Sequence, residues 1–186
     1  MRCSGMADTK DWTWVLDRAC PDCGFDAGTL PRTAIGATIR VVVERFAVEL
    51  EGPDDAVRRR PEPEVWSTLE YGCHLVDVVV IGAGRLQLLR TEVDPTFPNW
   101  DQDESAIARR YAEQDPAEVR IELQHAGSVL ADAFDGVADD EWIRRGSRSN
   151  GSVFTVESFG RYLAHDLVHH VWDIDRASPL QPGVAR

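Results

Sequence analysis

The chain is short of positive charge. Its 186 residues carry 20 Lys and Arg against 32 Asp and Glu, a formal net charge of -12. Nucleic-acid binding needs clustered Lys and Arg to neutralise phosphates, and docking on an anionic membrane needs the same, so neither partner is expected. Long apolar runs are also missing. No stretch approaches the roughly 18 consecutive apolar residues of a membrane span. The longest, Val78-Val79-Val80-Ile81-Gly82-Ala83-Gly84, is bounded by Asp77 and Arg85. Arg2 and Lys10 are the only basic residues before position 18 and no apolar segment follows them. No secretory leader is therefore expected, and the default compartment is the cytoplasm.

Cysteine is scarce: Cys3, Cys20, Cys23 and Cys73. In a reducing compartment these are expected to be thiols. The one motif is Cys20-Pro21-Asp22-Cys23-Gly24. Such a pair can be half of a zinc knuckle or a redox couple. No second Cys pair and no thioredoxin-like strand accompanies it, which favours a turn with two incidental thiols. The remaining composition, 43% hydrophobic and 28% charged, is that of a soluble globular domain, and the length fits one domain.

The spacing predicts four long helices. Residues 1–28 form an irregular arm, broken by Pro21, Gly24 and Gly28, that lays Trp12 and Trp14 on the core; Met6 is a second candidate start. The bundle spans 29–178 and a frayed tail spans 179–186. Helix one runs from Pro31 to Glu51 on the stripe Ile35, Ile39, Val42, Val43, Phe46, Leu50. Arg58, Arg59 and Arg60 follow in a loop expected to be solvated. Helix two runs from Val65 to Arg90, with Gly82 and Gly84 allowing close packing. A long polar connection over 95–115 follows. Helix three begins at Asp115-Pro116, an N-cap followed by a first-turn proline, and reaches Phe134. Residues 135–154 are turn-rich, with Trp142 as an anchor. Helix four starts after Thr155 and reaches Trp172 or Asp173. Absence of strand–helix alternation makes the fold all-α, a four-helix bundle.

Five histidines carry the chemistry: His74, His125, His165, His169 and His170. At 100° per residue, His165 and His169 lie about 40° apart on one helix face, the spacing at which two imidazoles grip one metal ion. His170 is about 140° from His165 and is expected outside that grip. Asp166 is expected to pair elsewhere, and His125 to be a surface residue. His74 sits on a polar face of helix two with Glu70, Tyr71 and Asp77, which makes it the candidate third ligand. Glu70 and Asp77 would orient an imidazole or act as a general base. Tyr71, Tyr162, Trp172 and the loop residue Trp100 would wall a substrate pocket.

Two segments resemble a known family. Trp66-Ser67-Thr68-Leu69-Glu70-Tyr71-Gly72-Cys73-His74-Leu75-Val76-Asp77 resembles the second-helix histidine segment of the DinB/YfiT-like superfamily, and Phe159-Gly160-Arg161-Tyr162-Leu163-Ala164-His165-Asp166-Leu167-Val168-His169-His170 is similar to its fourth-helix His-x-x-x-His. The resemblance implies an up-down-down-up four-helix bundle with a long loop between helices two and three. It also implies one divalent metal on three histidines (zinc or nickel, otherwise iron or manganese) and a transferase, isomerase or hydrolase using a low-molecular-weight thiol such as mycothiol or bacillithiol on a small-molecule substrate. The competing expectation is a non-catalytic metal-binding or stress-associated bundle, a homodimer, with a structural or vestigial site.

Overall fold

The computed structural model describes residues 12–177. The candidate starts Met1 and Met6, Cys3 and the tail 179–186 lie outside the described residues. Four long helices carry the fold, with two short ones between them: α1 (Ile35–Glu49), α2 (Asp54–Arg58), α3 (Thr68–Thr91), α4 (Gln102–Ala108), α5 (Pro116–Asp135) and α6 (Val156–Ala177). Three short strands, β1 (Thr96–Phe97), β2 (Arg145–Arg148) and β3 (Val153–Thr155), lie in the connections.

Local chemistry sets the helix starts. Ser67 and Glu70 close a capping box at the head of α3: the Ser67 hydroxyl accepts from Glu70 N and the Glu70 carboxylate accepts from Ser67 N at 2.9 Å. Asp115 accepts from Ala117 N at 2.8 Å and Glu118 N at 3.2 Å, ahead of Pro116 at the first position of α5. Thr155 Oγ1 accepts from Ser158 N at 3.0 Å while Ser158 Oγ accepts from Thr155 N at 2.9 Å, fixing the start of α6. α1 starts one turn later than the expected Pro31, because Pro31 is extended and a 3-10 turn, Arg32–Ala34, precedes the helix. The arginine run is not simply solvated. Arg58 pairs with Asp54, and Arg60 Nε donates to Glu70 Oε2 at 2.8 Å.

The four long helices surround one core in the cyclic order α1, α5, α3, α6. Consecutive helices α1 and α3 are therefore diagonal, as are α5 and α6. Close approach is built with glycine. A Cβ on Gly127 of α5 would stand 2.5 Å from Val43 Cγ2 of α1, and one on Gly82 of α3 would stand 3.0 Å from Leu163 Cδ1 of α6. Gly84 faces open space and has no such role. α3 is long and apolar enough to cross a membrane by length and composition; here it is the core helix, with 56% of that stretch buried.

The strands are a feature that the helical reading did not anticipate. β1 pairs parallel with β2, which pairs antiparallel with β3. The sheet ties the α3–α5 and α5–α6 connections together over Phe97, Phe154 and Phe159. The arm packs on α6 through 3-10 turns at Thr13–Leu16 and Ala27–Thr29, with Val15, Cys20 and Ala27 buried. Trp12 and Trp14 stay half-buried and lie against histidines of α6 rather than in the apolar core.

Candidate metal centres and cavity

His74 is carried into the core by α3 and is 1% exposed. Its Nε2 stands 3.1 Å from His170 Nε2 on α6. The other ring nitrogen of His170, Nδ1, is 3.0 Å from Asp173 Oδ2. Burial works against the Asp173 carboxylate, but the His170 hydrogen bond and nearby positive charge outweigh it and hold its pKa below the usual value. An ionised carboxylate only accepts, so His170 Nδ1 donates to Asp173 while Nε2 faces His74. Asp166, one turn earlier on α6, brings Oδ1 to 3.6 Å from the same nitrogen. Ligand atoms of His74, Asp166 and His170 all lie within 4.8 Å of one another. Trp100 stacks on His74 at 5.3 Å between centroids and 8° between planes. Burial, reinforced by His170, pushes the His74 pKa well below its ordinary value and keeps the ring neutral. Among the described residues His74 Nδ1 has no hydrogen-bond partner.

A second cluster joins α6 to the arm. Ligand atoms of Cys20, Cys23, His165 and His169 lie within 4.8 Å of one another. Cys20 Sγ is 3.6 Å from His169 Nδ1, and both cysteines are free thiols. His165 is 4% exposed, and its buried Nε2 has no hydrogen-bond partner among the described residues. Burial pushes the Cys23 thiol up to about 11 and the His165 imidazole down to about 4.

The structure thus divides the three expected ligands. His165 and His169 do share a face, but that face meets the arm. His74 meets the pair one residue along, Asp166 and His170. Helical spacing identifies which side chains travel together: 165 with 169, and equally 166 with 170. It does not fix the rotation of α6 about its axis, which decides the pair that faces α3. Cys20 and Cys23, expected to be incidental thiols of a turn, are brought next to imidazoles 140 or more positions away. The signal was present in Cys-Pro-x-Cys-Gly together with three histidines crowded on one helix.

The other expected site residues separate as well. Glu70 is engaged by Arg60 and the Ser67 cap, and Asp77 by Arg109 and by the Tyr111 hydroxyl at 2.5 Å. Neither carboxylate belongs to the histidine clusters, and both lock helix ends and connections in place. Tyr71 packs 5.2 Å from His170, its hydroxyl pushed up to about 12 by burial and Asp173. Trp172 packs 5.2 Å from His169, beneath Arg176. Trp100 and Tyr162 line a cavity of about 140 Å³, together with the α6 histidines, Arg85 and Arg148. His125 is exposed. A wider groove of about 730 Å³ around Arg59, Pro61 and Trp66 contains no His or Cys.

Arg85 and Arg148 escaped the sequence reading. Arg148, at the end of β2, is 8% exposed, lies over Phe154 and Tyr162, and its Nε has no hydrogen-bond partner among the described residues. Arg85 lies over Phe97 and donates to Pro98 O at 2.8 Å. Burial and the charge of Arg148 pull the Arg85 pKa down to about 10, which leaves it cationic at neutral pH. Among the described residues neither forms an ion pair, so two guanidinium groups face one small cavity in a strongly acidic chain.

Residues 37–174 match the model of the DinB superfamily, and the chain belongs to that superfamily. Among solved structures it is similar to YfiT from Bacillus subtilis, a probable metal-dependent hydrolase with an unusual four-helix bundle topology. Identity is 20% and the TM-score 0.70, over 79% of this chain and 85% of that one. At that identity the likeness establishes the four-helix bundle fold. No curated protein matches the chain.

Proposed function

We propose that this chain is a divalent-metal-dependent enzyme that acts on a small anionic electrophile, with His74, Asp166 and His170 as the protein ligands. The observation that carries the proposal is the 3.1 Å approach of two buried imidazole nitrogens, one of them oriented through Asp173. Two nitrogens ligating one zinc ion at about 2.0–2.1 Å each cannot stand more than about 4.2 Å apart, so this separation fits. The carboxylate–imidazole–metal sequence is the usual way a ligating histidine is held in one tautomer. Similarity to YfiT, a probable metal-dependent hydrolase, supports the same reading.

When bound, the ion supplies Lewis acidity, polarising a substrate oxygen and lowering the pKa of a nucleophile. Asp173 holds the His170 proton at Nδ1. Trp100 covers His74 and excludes bulk water from it. Arg85 and Arg148 bind the negative charge of the substrate and orient its reactive end. The cavity is smaller than the roughly 300–1,000 Å³ of ordinary ligand pockets, so it admits only that reactive end. The nucleophile is water in a hydrolase, or a low-molecular-weight thiol such as mycothiol in a transferase. Zinc and nickel suit this donor set, with iron or manganese as further options. The charge of -12 argues against a nucleic-acid or anionic-membrane partner, and the scarcity of cysteine fits a reducing cytoplasm.

A second reading, a structural bundle without catalysis, is favoured by the same two nitrogens, which can satisfy each other with one N–H···N bond. Metal analysis of the purified protein separates the two. The enzyme reading expects an ion that is lost in His74→Ala and His170→Ala and turnover of small acidic electrophiles that is lost with it. A His170→Ala variant that keeps full metal occupancy at this site and full turnover overturns it.

A further inference from the structure

We propose that Cys20, Cys23, His165 and His169 form a separate, closed four-ligand site for zinc or another thiophilic divalent ion, which clips the N-terminal arm to α6. Two thiolates with two imidazoles are the donor set of structural zinc. The arm folds to present it. Cys20 N donates to Phe25 O and Gly24 N donates to Cys20 O, both at 2.9 Å, so the backbone turns back on itself around the two thiols. That turn needs Gly24 at φ +73°, a left-handed conformation in which a side chain is strained. On the helix side His165 and His169 are one turn apart, on one face.

The separations fit an ion. A thiolate at about 2.3 Å and an imidazole at about 2.0–2.1 Å from one zinc stand no more than about 4.4 Å apart, and Cys20 Sγ is 3.6 Å from His169 Nδ1. The remaining ligand atoms lie within 4.8 Å, close enough for small side-chain rotations to bring all four in. Cys20 and His165 are buried and Cys23 and His169 half-buried, with Trp12 packed on His169 and Trp14 on His165 at 5.9 and 6.5 Å between centroids. The buried Nε2 of His165 has no hydrogen-bond partner among the described residues, a state shared only with His74 Nδ1 and Arg148 Nε, and a bound ion would satisfy it.

Binding releases the two thiol protons to solvent. Two thiolates then balance one divalent cation, and the buried cluster carries no net charge. With four protein ligands such a site holds the arm rather than activates a substrate. It shapes the adjacent cavity, because His165 and His169 form part of its wall. The proposal does not depend on the His74 site, which uses different ligands.

Cobalt(II) substitution of the full chain tests it. Bound cobalt should show a thiolate-to-cobalt charge-transfer band in the near ultraviolet. The band should vanish in Cys20→Ser and Cys23→Ser, fall sharply in His165→Ala, and persist in His170→Ala. Should a cysteine variant fail to fold, the wild-type protein still decides the matter: Cys20 and Cys23 should resist alkylation when loaded with zinc and become reactive when a chelator removes it. A cobalt-loaded protein without the thiolate band, thiols equally reactive with and without zinc, or a Cys20–Cys23 disulfide in protein purified from a reducing cytoplasm would each overturn the proposal.

Discussion

His170 is held between two partners, its Nε2 3.1 Å from His74 and its Nδ1 3.0 Å from Asp173. The arrangement makes Asp173 a positioning residue. Asp173→Asn keeps the size of the side chain but offers an amide that can turn its NH₂ toward the ring. The expected result is metal affinity at the His74 site weakened about 10–100-fold, the usual loss when a partner behind a ligating histidine is changed. Equilibrium dialysis of the variant, with Cys20→Ser in the background to remove the second cluster, measures it. An unchanged affinity would assign Asp173 to packing alone.

Glu70 makes stability depend on pH in a definite direction. Burial favours its neutral form, but hydrogen bonds from Arg60 and from Ser67 outweigh burial and lower its pKa below 4.5. A carboxyl group whose pKa is depressed by folding contributes stability that is complete above its unfolded value, near 4.3–4.5, and is lost as pH falls through its folded value. Urea midpoints measured from pH 7 down to pH 3 should therefore decline on the acid side. Glu70→Gln should lower the midpoint at neutral pH and flatten the decline attributable to this residue.

Tyr111 donates to Asp77 at 2.5 Å from a ring that is 1% exposed. Removing the hydroxyl leaves a nearly buried carboxylate one donor short. Tyr111→Phe should cost about 1.5–3 kcal/mol in urea unfolding, the range for a hydrogen bond to a charged group. Metal content should not change, because Asp77 lies outside both clusters. Loss of metal in the folded variant would restore Asp77 to the site.

Two glycines should respond in opposite directions to the same change. Gly127→Ala places a methyl 2.5 Å from Val43 at the α1–α5 contact and should destabilise by about 1–3 kcal/mol through overpacking. Gly84→Ala, in an open position within α3, should stabilise by about 0.5–1 kcal/mol by lowering the entropy of the unfolded chain. Thermal or urea denaturation of the two variants side by side checks both signs.

The helices were legible because their signals are local. Asp115-Pro116, Thr155 and the apolar stripe of α1 each specify an element from neighbouring residues. The Ser67-x-x-Glu70 capping box is equally readable from neighbouring residues, but a Glu one turn from His74 carries the same spacing as a catalytic carboxylate, and only the contact with Arg60 separates the two roles. The sheet escaped because strands of two to four residues gain their stability from pairing across distant segments. The site was only half legible for a related reason. Wheel geometry groups His165 with His169, but the partner of that face depends on how α6 is rotated against α3 and on an arm that starts about 145 positions upstream. Arg148 reaches the cavity only because β2 and β3 place it there.

The cyclic order α1, α5, α3, α6 has a kinetic consequence. In a simple up-and-down bundle each helix folds onto its immediate successor, and short-range pairs can form first. Here only α3 and α5 are neighbours both along the chain and in space. α1 must wait for α5, and α6 must find α1 and α3 across most of the chain. Such contacts need large loops to close before they contribute, which slows folding relative to a bundle of the same helices joined in spatial order. The α3–α5 hairpin, the one pair of long helices adjacent both in sequence and in space, is the element expected to form first, and it carries His74.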